Sequence, residues 1–236
     1  RACAVVPLQL SPQLISSNRD NLIVFQHVKI EDAYNAWSAT YDSDRNRARD
    51  LDQQVAREEL QSFRCNSVLE LGCGTGKNTA LLARIGDRVR SLDFSAGMIE
   101  KARARIDSPN VTFEIADIRK RWPSDDQAFD LVVCNLVLEH VEDLGFIFAE
   151  GARVLSTGGR CFVCELHPFR QYQGTQASFQ SEGETAQIPA FLHHITDFIA
   201  AAQAHRLSLL TIKEWWHEED EGKPPRLISF MFGKQT

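Results

Sequence analysis

Residues 68–76 constrain the fold more than any other part of the chain. An apolar run there is typical of a buried strand, and it passes directly into a turn that contains Gly72, Gly74 and Gly76. Glycine has no Cβ, so such a turn can adopt positive φ and let a ligand lie against its peptide groups. The apolar spacing over residues 78–85 predicts a helix whose first amides face that ligand. The pattern therefore predicts a strand, turn and helix that bind a nucleotide.

The glycine spacing distinguishes between classes of nucleotide. A dinucleotide fingerprint has the form G-x-G-x-x-G, and here Gly76 comes one residue early, with Lys77 in the place of the last glycine. Lys77 is followed by Asn78, so the P-loop pattern is not met either. Asp93 ends the next predicted strand about 20 residues after Gly72, the separation at which a carboxylate reaches ribose hydroxyls. The sequence therefore predicts a ribose without a pyrophosphate.

Three further motifs follow the glycine turn in order, at residues 92–95 with Met98, at 116–118 and at 129–135. Together with residues 70–76 they resemble the successive motifs of the class I S-adenosylmethionine-dependent methyltransferases, most closely the small-molecule branch of the ubiquinone and menaquinone pathways. The resemblance implies an α/β, Rossmann-like fold with helices on both faces of a seven-stranded, mostly parallel sheet. Its implied strand order is 3-2-1-4-5-7-6, with strand 7 antiparallel.

Hydrophobic periodicity predicts a helix over roughly residues 30–63 and then alternating strands and helices. Such alternation favours a parallel sheet with a ligand crevice at the carboxyl ends of its strands. We expect an N-terminal arm and helical lid at 1–63, and one methyltransferase domain at 64–236 with an acceptor-side insertion at 167–190. The predicted strands are 67–71, 88–93, 111–115, 129–135, 159–166, 207–213 and 226–233, and the predicted later helices are 77–85, 96–106, 143–155 and 192–205.

The resemblance implies S-adenosylmethionine as cofactor and S-adenosylhomocysteine as product. Asp93 is expected to hold both ribose hydroxyls, with Phe94 and Met98 flanking the adenine, although Met98 is an equally good core residue of its own helix. The other expected cofactor residues lie at strand ends or in the glycine turn: Glu70, Gly72, Cys73, Gly74 and Gly76 around the methionine and ribose, Asp117 and Ile118 at the adenine, and Asn135 and Leu136 near the methionine end.

Three aromatic residues mark the N-terminal helix. Trp37, Tyr41 and Asp42 resemble the W-x-x-x-Y-D element of many small-molecule members. An aromatic face stabilises a nearby cation such as a sulfonium by about 0.5 to 2 kcal/mol, which favours Tyr41 as a lid residue in contact with cofactor and acceptor. The alternative is that Tyr34, Trp37 and Tyr41 form a packing stripe that fastens the arm to the domain.

In-line methyl transfer mainly needs an aligned acceptor and exclusion of water, with a base where the acceptor is a hydroxyl or an acidic carbon. The predicted catalytic residues are His140 and His167, which follow the fourth and fifth strands, and Tyr41. A hydrogen-bonded structural role is the common alternative for each histidine. Further candidate bases are His193, His194, Glu139 and Glu165. No metal is expected, because Leu136 stands where related ubiquinone-pathway enzymes place a ligating Glu.

Composition limits the possible partners. A formal net charge of −6 and a pI near 5.7 argue against nucleic acid, and no apolar run is long enough to span a membrane. The six cysteines do not form a disulfide framework pattern, so we expect a cytoplasmic protein. The first residue is Arg rather than Met, which leaves a processed or truncated N-terminus open.

The expected acceptor is a small molecule methylated at O, C or N. The insertion at 167–190 is suited to bind it, with Arg170 as a possible partner for an acidic group, although a solvated arginine is commoner. Two alternatives to catalysis are a non-catalytic regulatory or partner protein that binds S-adenosylmethionine, and an NAD(P)-dependent oxidoreductase. The sequence leaves the oligomeric state unknown.

Overall fold

A computed structural model describes residues 30–174, 178–181 and 184–235. Two helices, α1 (Ile30–Trp37) and α2 (Arg47–Leu60), replace the single helix expected over 30–63. The indole of Trp37 donates to Asp44 at 2.7 Å, and the side chain of Asn46 accepts from two amides of the first turn of α2. Asn is a favoured N-cap, so it starts a new helix instead of continuing the first. The part of the predicted arm before residue 30 lies outside the described residues.

The remaining elements alternate as the periodicity predicts, apart from one short helix and two short strands that lie within the insertion expected at 167–190. The strands are β1 (Cys65–Leu71), β2 (Gly86–Asp93), β3 (Val111–Ile115), β4 (Phe129–Asn135), β5 (Leu155–Leu166), β6 (Ser178–Ser181), β7 (Glu184–Gln187), β8 (Leu207–Trp215) and β9 (Leu227–Lys234). The helices are α3 (Thr79–Ile85), α4 (Ala96–Arg105), α5 (Leu144–Val154), α6 (Pro168–Tyr172) and α7 (Ile195–Ala204), with short 3₁₀ turns at Leu138–His140 and Glu218–Asp220.

The described residues form a seven-stranded sheet of order β3-β2-β1-β4-β5-β9-β8. All neighbours pair in parallel except β9, which is antiparallel to both β5 and β8. Strands β6 and β7 form a separate antiparallel pair. When that pair is set aside, the order is 3-2-1-4-5-7-6 with strand 7 antiparallel, so the predicted fold class is confirmed.

Two element starts differ from the expected bounds by more than two residues. Strand β5 begins at residue 155, directly after α5, instead of at 159. Helix α7 begins at residue 195 instead of 192, because the amide of His194 donates to the Asp197 carboxylate at 2.8 Å and fixes the helix start there.

Helices cover both faces of the sheet, and each face has its own apolar cluster. Phe148 of α5 and Phe230 of β9 belong to the cluster on one face, and Val55 of α2 belongs to the cluster on the other. Cys161 and Cys164 of β5 fall in different clusters, as expected for positions three apart in a strand. The central strands are therefore buried on both sides, and ligands are restricted to their ends. Across the described ranges, no helix combines the length and apolar character that a membrane span requires.

Candidate cofactor and acceptor site

Three adjoining cavities open at the carboxyl ends of β1, β2 and β4. The first encloses about 640 Å³ of open space and the second about 510 Å³. The structure brings eleven of the thirteen predicted cofactor residues to the walls of these two cavities, all except Gly76 and Met98: Tyr41, Glu70, Gly72, Cys73, Gly74, Asp93, Phe94, Asp117, Ile118, Asn135 and Leu136. The cavities share several of these residues, so together they form one elongated cleft.

The glycine turn holds the floor of this cleft close to the end of β4. Gly72 has φ of +67°, and a Cβ added there would lie 2.2 Å from Cγ2 of Val137. Any other residue would therefore collide with the neighbouring loop as well as strain the backbone. Gly74 also has positive φ, at +52°, but its added Cβ would meet nothing within 4 Å. The close approach explains the glycine at position 72, where a ligand can lie against bare backbone.

Asp93 ends β2 at the wall of the first cavity. Its Oδ1 accepts from the amide of Ser95 at 2.8 Å and its Oδ2 from the amide of Gly74 at 2.9 Å. Burial raises the pKa of Asp93 to about 6, against the lowering effect of these amides. Each carboxylate oxygen has a second lone pair. The group can therefore accept from two ribose hydroxyls, as the sequence predicts.

Glu70 supports the turn from below and lines the second cavity. Its Oε2 accepts from the hydroxyls of Thr79 and Ser91, each at 2.6 Å, which joins β1 to α3 and β2. Burial raises the pKa of Glu70 to about 7, although both hydroxyls lower it. Glu70 therefore fixes the elements that carry the turn and adds an acidic group to the methionine side of the cleft.

Sequence reasoning missed an acidic cluster in the second cavity. Asp52 of α2 accepts from the amide nitrogen of Asn78 at 2.7 Å and from that of Asn135 at 2.6 Å. The side-chain oxygens of both asparagines are buried and have no partner within the described residues. Burial raises the pKa of Asp52 to about 6. This set of acceptors suits a positively charged amino group. The sequence signal that could have revealed this cluster is an acid, Asp52, at one of the otherwise mostly apolar buried positions of α2.

The adenine side of the cleft contains Phe94, Asp117 and Ile118. Arg119 donates to Asp117 at 2.8 Å. Burial by itself would raise the pKa of Asp117, but the hydrogen bonds and the charge of Arg119 outweigh burial and lower it. Met98 lines neither cavity of the cleft. It is fully buried within α4, so its expected place beside the adenine is not supported, and the alternative of a core residue describes it.

His140 lines the first cavity but both of its ring nitrogens are engaged. Nδ1 lies 2.9 Å from the carbonyl oxygen of Pro189, and Nε2 lies 2.8 Å from the phenol oxygen of Tyr34. A carbonyl can only accept, so Nδ1 carries the proton and Nε2 accepts from Tyr34. Burial lowers the pKa of His140 and raises that of Tyr34, which keeps both neutral. The pair joins α1 to the end of β4, and no lone pair is free for a base.

The structure does not bring His167 to the cleft. Its Nε2 lies 3.0 Å from the carboxylate of Glu214, and its Nδ1 accepts from the amide of Phe169 at 3.1 Å, where it caps α6. His167 lines none of the three cavities, so its predicted catalytic role is not supported. Among the other candidate bases, His193 bonds the carbonyl of Val141 at 2.7 Å. These histidines hold loops in place.

Two carboxylates, Glu165 and Glu139, are also among the candidate bases. Glu165 accepts from the amides of Val137 and Leu138 at 3.1 and 3.0 Å, and burial raises its pKa to about 8. It therefore shapes the loop after β4. Glu139 differs, because it lines the third cavity and its Oε2 is buried without a partner in the described part of the chain. Burial raises the pKa of Glu139 to about 7.

Tyr41 and Leu136 line all three cavities and mark their junction. Leu136 has φ of +55°, a left-handed conformation that is uncommon for a branched residue and is typically found at functional sites. The ring of Tyr41 packs edge-on against Trp37 at a centroid distance of 4.7 Å, so the predicted aromatic stripe does form. Tyr41 thus satisfies both alternatives, as a packing residue and as a wall of the cleft.

One asparagine, Asn35, connects α1 to the start of α4 beside the cofactor cleft. Oδ1 of Asn35 accepts from the hydroxyl of Ser95 at 2.7 Å and from the amide of Gly97 at 3.2 Å. A Cβ on Gly97 would lie 2.5 Å from Oγ of Ser38, so α1 and α4 approach as closely as backbone allows. Helix α1 therefore forms a wall over the first cavity.

The sheet order, the glycine turn and the acid that ends β2 define a class I, Rossmann-like fold of the S-adenosylmethionine-dependent methyltransferases. Residues 69–163 match a family described as a methyltransferase domain. Residues 69–163 accordingly form a methyltransferase domain of the class I, S-adenosylmethionine-dependent type, and the cofactor of this class is S-adenosylmethionine.

Three comparisons accompany this assignment. The chain is 31% identical over 160 residues to a ubiquinone biosynthesis O-methyltransferase of Xanthomonas oryzae, covering 65% of this chain and 63% of that protein. It is 36% identical over 156 residues to a demethylmenaquinone methyltransferase of Tropheryma whipplei, covering 65% of this chain and 61% of that protein. Each match spans less than two thirds of the relative. The N-methyltransferase NodS of Bradyrhizobium japonicum, solved with S-adenosylhomocysteine, superposes with a TM-score of 0.67 at 18% identity over 88% of this chain and 99% of that one.

Proposed function

We propose that the protein transfers the methyl group of S-adenosylmethionine to an O, C or N atom of a small-molecule acceptor by in-line displacement. The observation that carries the proposal is the placement of Asp93 at the wall of a cleft whose floor is the bare backbone of Gly72. The names of the curated relatives support a small-molecule acceptor, since both refer to quinone biosynthesis.

The cleft offers a partner for each part of the cofactor. Asp93 would accept from the ribose hydroxyls, and Phe94 and Ile118 would flank the adenine. The cluster of Asp52 with its two asparagines would accept from the ammonium of the methionine end. When bound, S-adenosylmethionine supplies a methyl group that its positive sulfur has already activated.

The protein's own contribution is alignment and exclusion of water. Orientation of reactants is worth up to about 7 to 11 kcal/mol of the barrier. Tyr41 and Leu136, at the junction of the three cavities, would position the acceptor beside the methyl group. We infer that α1 and the following turn act as a lid on a single methyltransferase domain, because Asn35, Tyr34 and Tyr41 attach this segment directly to the cleft.

Calorimetry with S-adenosylhomocysteine and with NAD tests the binding part of the proposal. We expect binding of S-adenosylhomocysteine alone, and a loss of about tenfold or more in Asp93→Asn, because hydrogen bonds to a charged group are worth about 1.5 to 3 kcal/mol. Asp107→Asn, at an exposed residue outside the cleft, is the matched control and should bind as the wild type does. Binding of NAD, or unchanged affinity in Asp93→Asn, would overturn the assignment.

Turnover then separates an enzyme from a non-catalytic binding protein. The wild type is incubated with methyl-labelled S-adenosylmethionine and a pool of small metabolites, and labelled products are separated. Transfer of label to a metabolite is expected. Binding without any transfer would favour a regulatory or partner role instead.

A further inference from the structure

The third cavity adjoins the cofactor cleft at Tyr41 and Leu136 and contains about 940 Å³ of space that includes open solvent. Since those two residues line all three cavities, a molecule in the third cavity meets the cofactor at their junction. This position is where an acceptor must lie. The inference below concerns the chemistry of that acceptor and rests on the proposed function.

Arginines dominate the charge of the third cavity. Among the described residues, its lining contains one acid, Glu139, and four basic side chains, which are Arg45, Arg47, Arg49 and Arg226. The protein as a whole carries a net charge of −6. A concentration of guanidinium groups in an acidic protein favours an anionic ligand at this place.

Two carboxylates outside the lining hold most of these arginines in position. Glu219 pairs with Arg45 and Arg47, and the buried Asp220 pairs with Arg226 at 2.6 Å and with Arg170 at 2.9 Å. Arg170 thus faces Asp220 and does not line the cavity, which corrects its expected role in acceptor binding. Because each carboxylate serves two guanidinium groups, the cluster keeps a positive excess.

Arg49 forms no ion pair with a carboxylate within the described part of the chain. It is 7% exposed, and it donates to the carbonyl oxygens of Tyr41 and Asp44 while its guanidinium lies 3.9 Å from the centre of the Tyr41 ring. The Nε atoms of Arg47 and Arg49 are buried and have no partner among the described residues. Both side chains line the third cavity, so each guanidinium group keeps donor capacity that an anion bound there would use.

Glu139 supplies the complementary acceptor on the same wall. It is 8% exposed, and its Oε2 has no hydrogen-bond partner within the described ranges. A buried acceptor of this kind is costly unless a donor occupies it, and a hydroxyl group is such a donor. The third cavity thus offers N–H donors for an anion and an oxygen acceptor for a hydroxyl.

We propose that the third cavity binds a small organic acid that carries a carboxylate and a hydroxyl, with Arg47 and Arg49 holding the carboxylate and Glu139 accepting the proton of the hydroxyl. The hydroxyl oxygen forms the new bond to the methyl carbon, and the bond between that carbon and sulfur breaks. Its electron pair stays on sulfur as the thioether of S-adenosylhomocysteine. The hydroxyl proton goes to Oε2 of Glu139.

Calorimetry on protein saturated with S-adenosylhomocysteine tests the anion site, with 2-, 3- and 4-hydroxybenzoate and their methyl esters as probes. At least one acid should bind, its uncharged ester should bind about tenfold more weakly or worse, and Arg47→Gln should lose about tenfold in affinity for the acid. Arg88→Gln, an exposed arginine at the start of β2, is the matched control. No binding of any acid, equal binding of the esters, or unchanged affinity in Arg47→Gln would overturn the proposal.

Affinity for S-adenosylhomocysteine is measured first in every variant and should be unchanged, which shows that each variant folds. If the wild type fails to bind it, the proposed function fails; if it binds and the acids do not, only this inference fails. For Glu139→Gln, binding of the acid should persist while methyl transfer to it falls by about 100-fold and loses its rise with pH. A variant that keeps both the rate and the pH profile would remove Glu139 from the role of base.

Discussion

The phenol oxygen of Tyr34 lies 2.8 Å from Nε2 of His140, across 106 residues of sequence. This bond attaches the N-terminal helix to the loop after β4, and it requires a neutral imidazole whose Nδ1 donates to Pro189. The N-terminal wall of the cleft therefore depends on one tautomer of one histidine.

Tyr34→Phe and His140→Phe should each destabilise the protein, by about 1 to 3 kcal/mol, because each leaves a polar partner without its bond. The double variant should cost less than the sum of the two, since it removes both members. Urea unfolding of the four proteins measures the free energies of unfolding. Strict additivity would show that the two side chains do not interact in solution.

Stability without cofactor should fall as pH rises from about 5 to 8. The folded protein holds protons on buried carboxylates more tightly than the unfolded chain, where their pKa is about 4, so it binds more protons over this range. His140 and His167 act in the opposite sense below about pH 6.5, because burial lowers the pKa of each, but they are two groups against five. The carboxylates with raised pKa are Asp52 and Asp93 (to about 6), Glu70 and Glu139 (to about 7) and Glu165 (to about 8). A free energy of unfolding that increases from pH 6 to pH 8 would contradict this expectation.

Binding of S-adenosylhomocysteine should release protons near pH 6. Ribose hydroxyls and an ammonium favour the charged forms of Asp93 and Asp52, so they lower pKa values that burial has raised to about 6. Calorimetry in buffers of different ionisation enthalpy counts the protons exchanged. Proton uptake, or none, would argue against contact with these two carboxylates.

Asp52→Asn should weaken binding of the methionine half of the cofactor and leave binding of the adenosine half unchanged. Its affinity for S-adenosylhomocysteine should fall about tenfold, because the amino group loses a charged partner, whereas affinity for methylthioadenosine, which lacks that group, should be unchanged. Asp93→Asn should weaken both ligands. Equal losses for both ligands in Asp52→Asn would place its carboxylate away from the methionine end.

Gly72→Ala should cost more stability than Gly74→Ala. Both positions have positive φ, but only at Gly72 does an added Cβ meet another side chain, Cγ2 of Val137 at 2.2 Å. We expect about 1 kcal/mol for the conformation alone at Gly74 and about 1 to 3 kcal/mol more at Gly72. Adding Val137→Ala to Gly72→Ala should recover part of the difference in urea unfolding. Equal costs at the two glycines would mean that the loop yields without strain.

Local sequence patterns were sufficient for the sheet and for most of the cofactor cleft. Gly72 and Asp93 follow strands whose order is set by alternation with helices, so their meeting at one edge was predictable. The break between α1 and α2 was not, since it depends on the capping of α2 by Asn46 and on the bond from Trp37 to Asp44. Asp52 was missed because α2 approaches β4 only through tertiary packing. His167 was misassigned for a similar reason, since its partner Glu214 lies on a distant strand.

Tyr41 and Leu136 line all three cavities, so in the proposed complex they contact both the methyl donor and the acceptor. If the bound donor changes the affinity for the acceptor, the bound acceptor changes the affinity for the donor by the same factor, because thermodynamic linkage is reciprocal. A substitution of Tyr41 or Leu136 should therefore change the affinity for both ligands, whereas residues that line only the third cavity, such as Arg45 and Arg226, can alter acceptor selectivity with the donor site left intact.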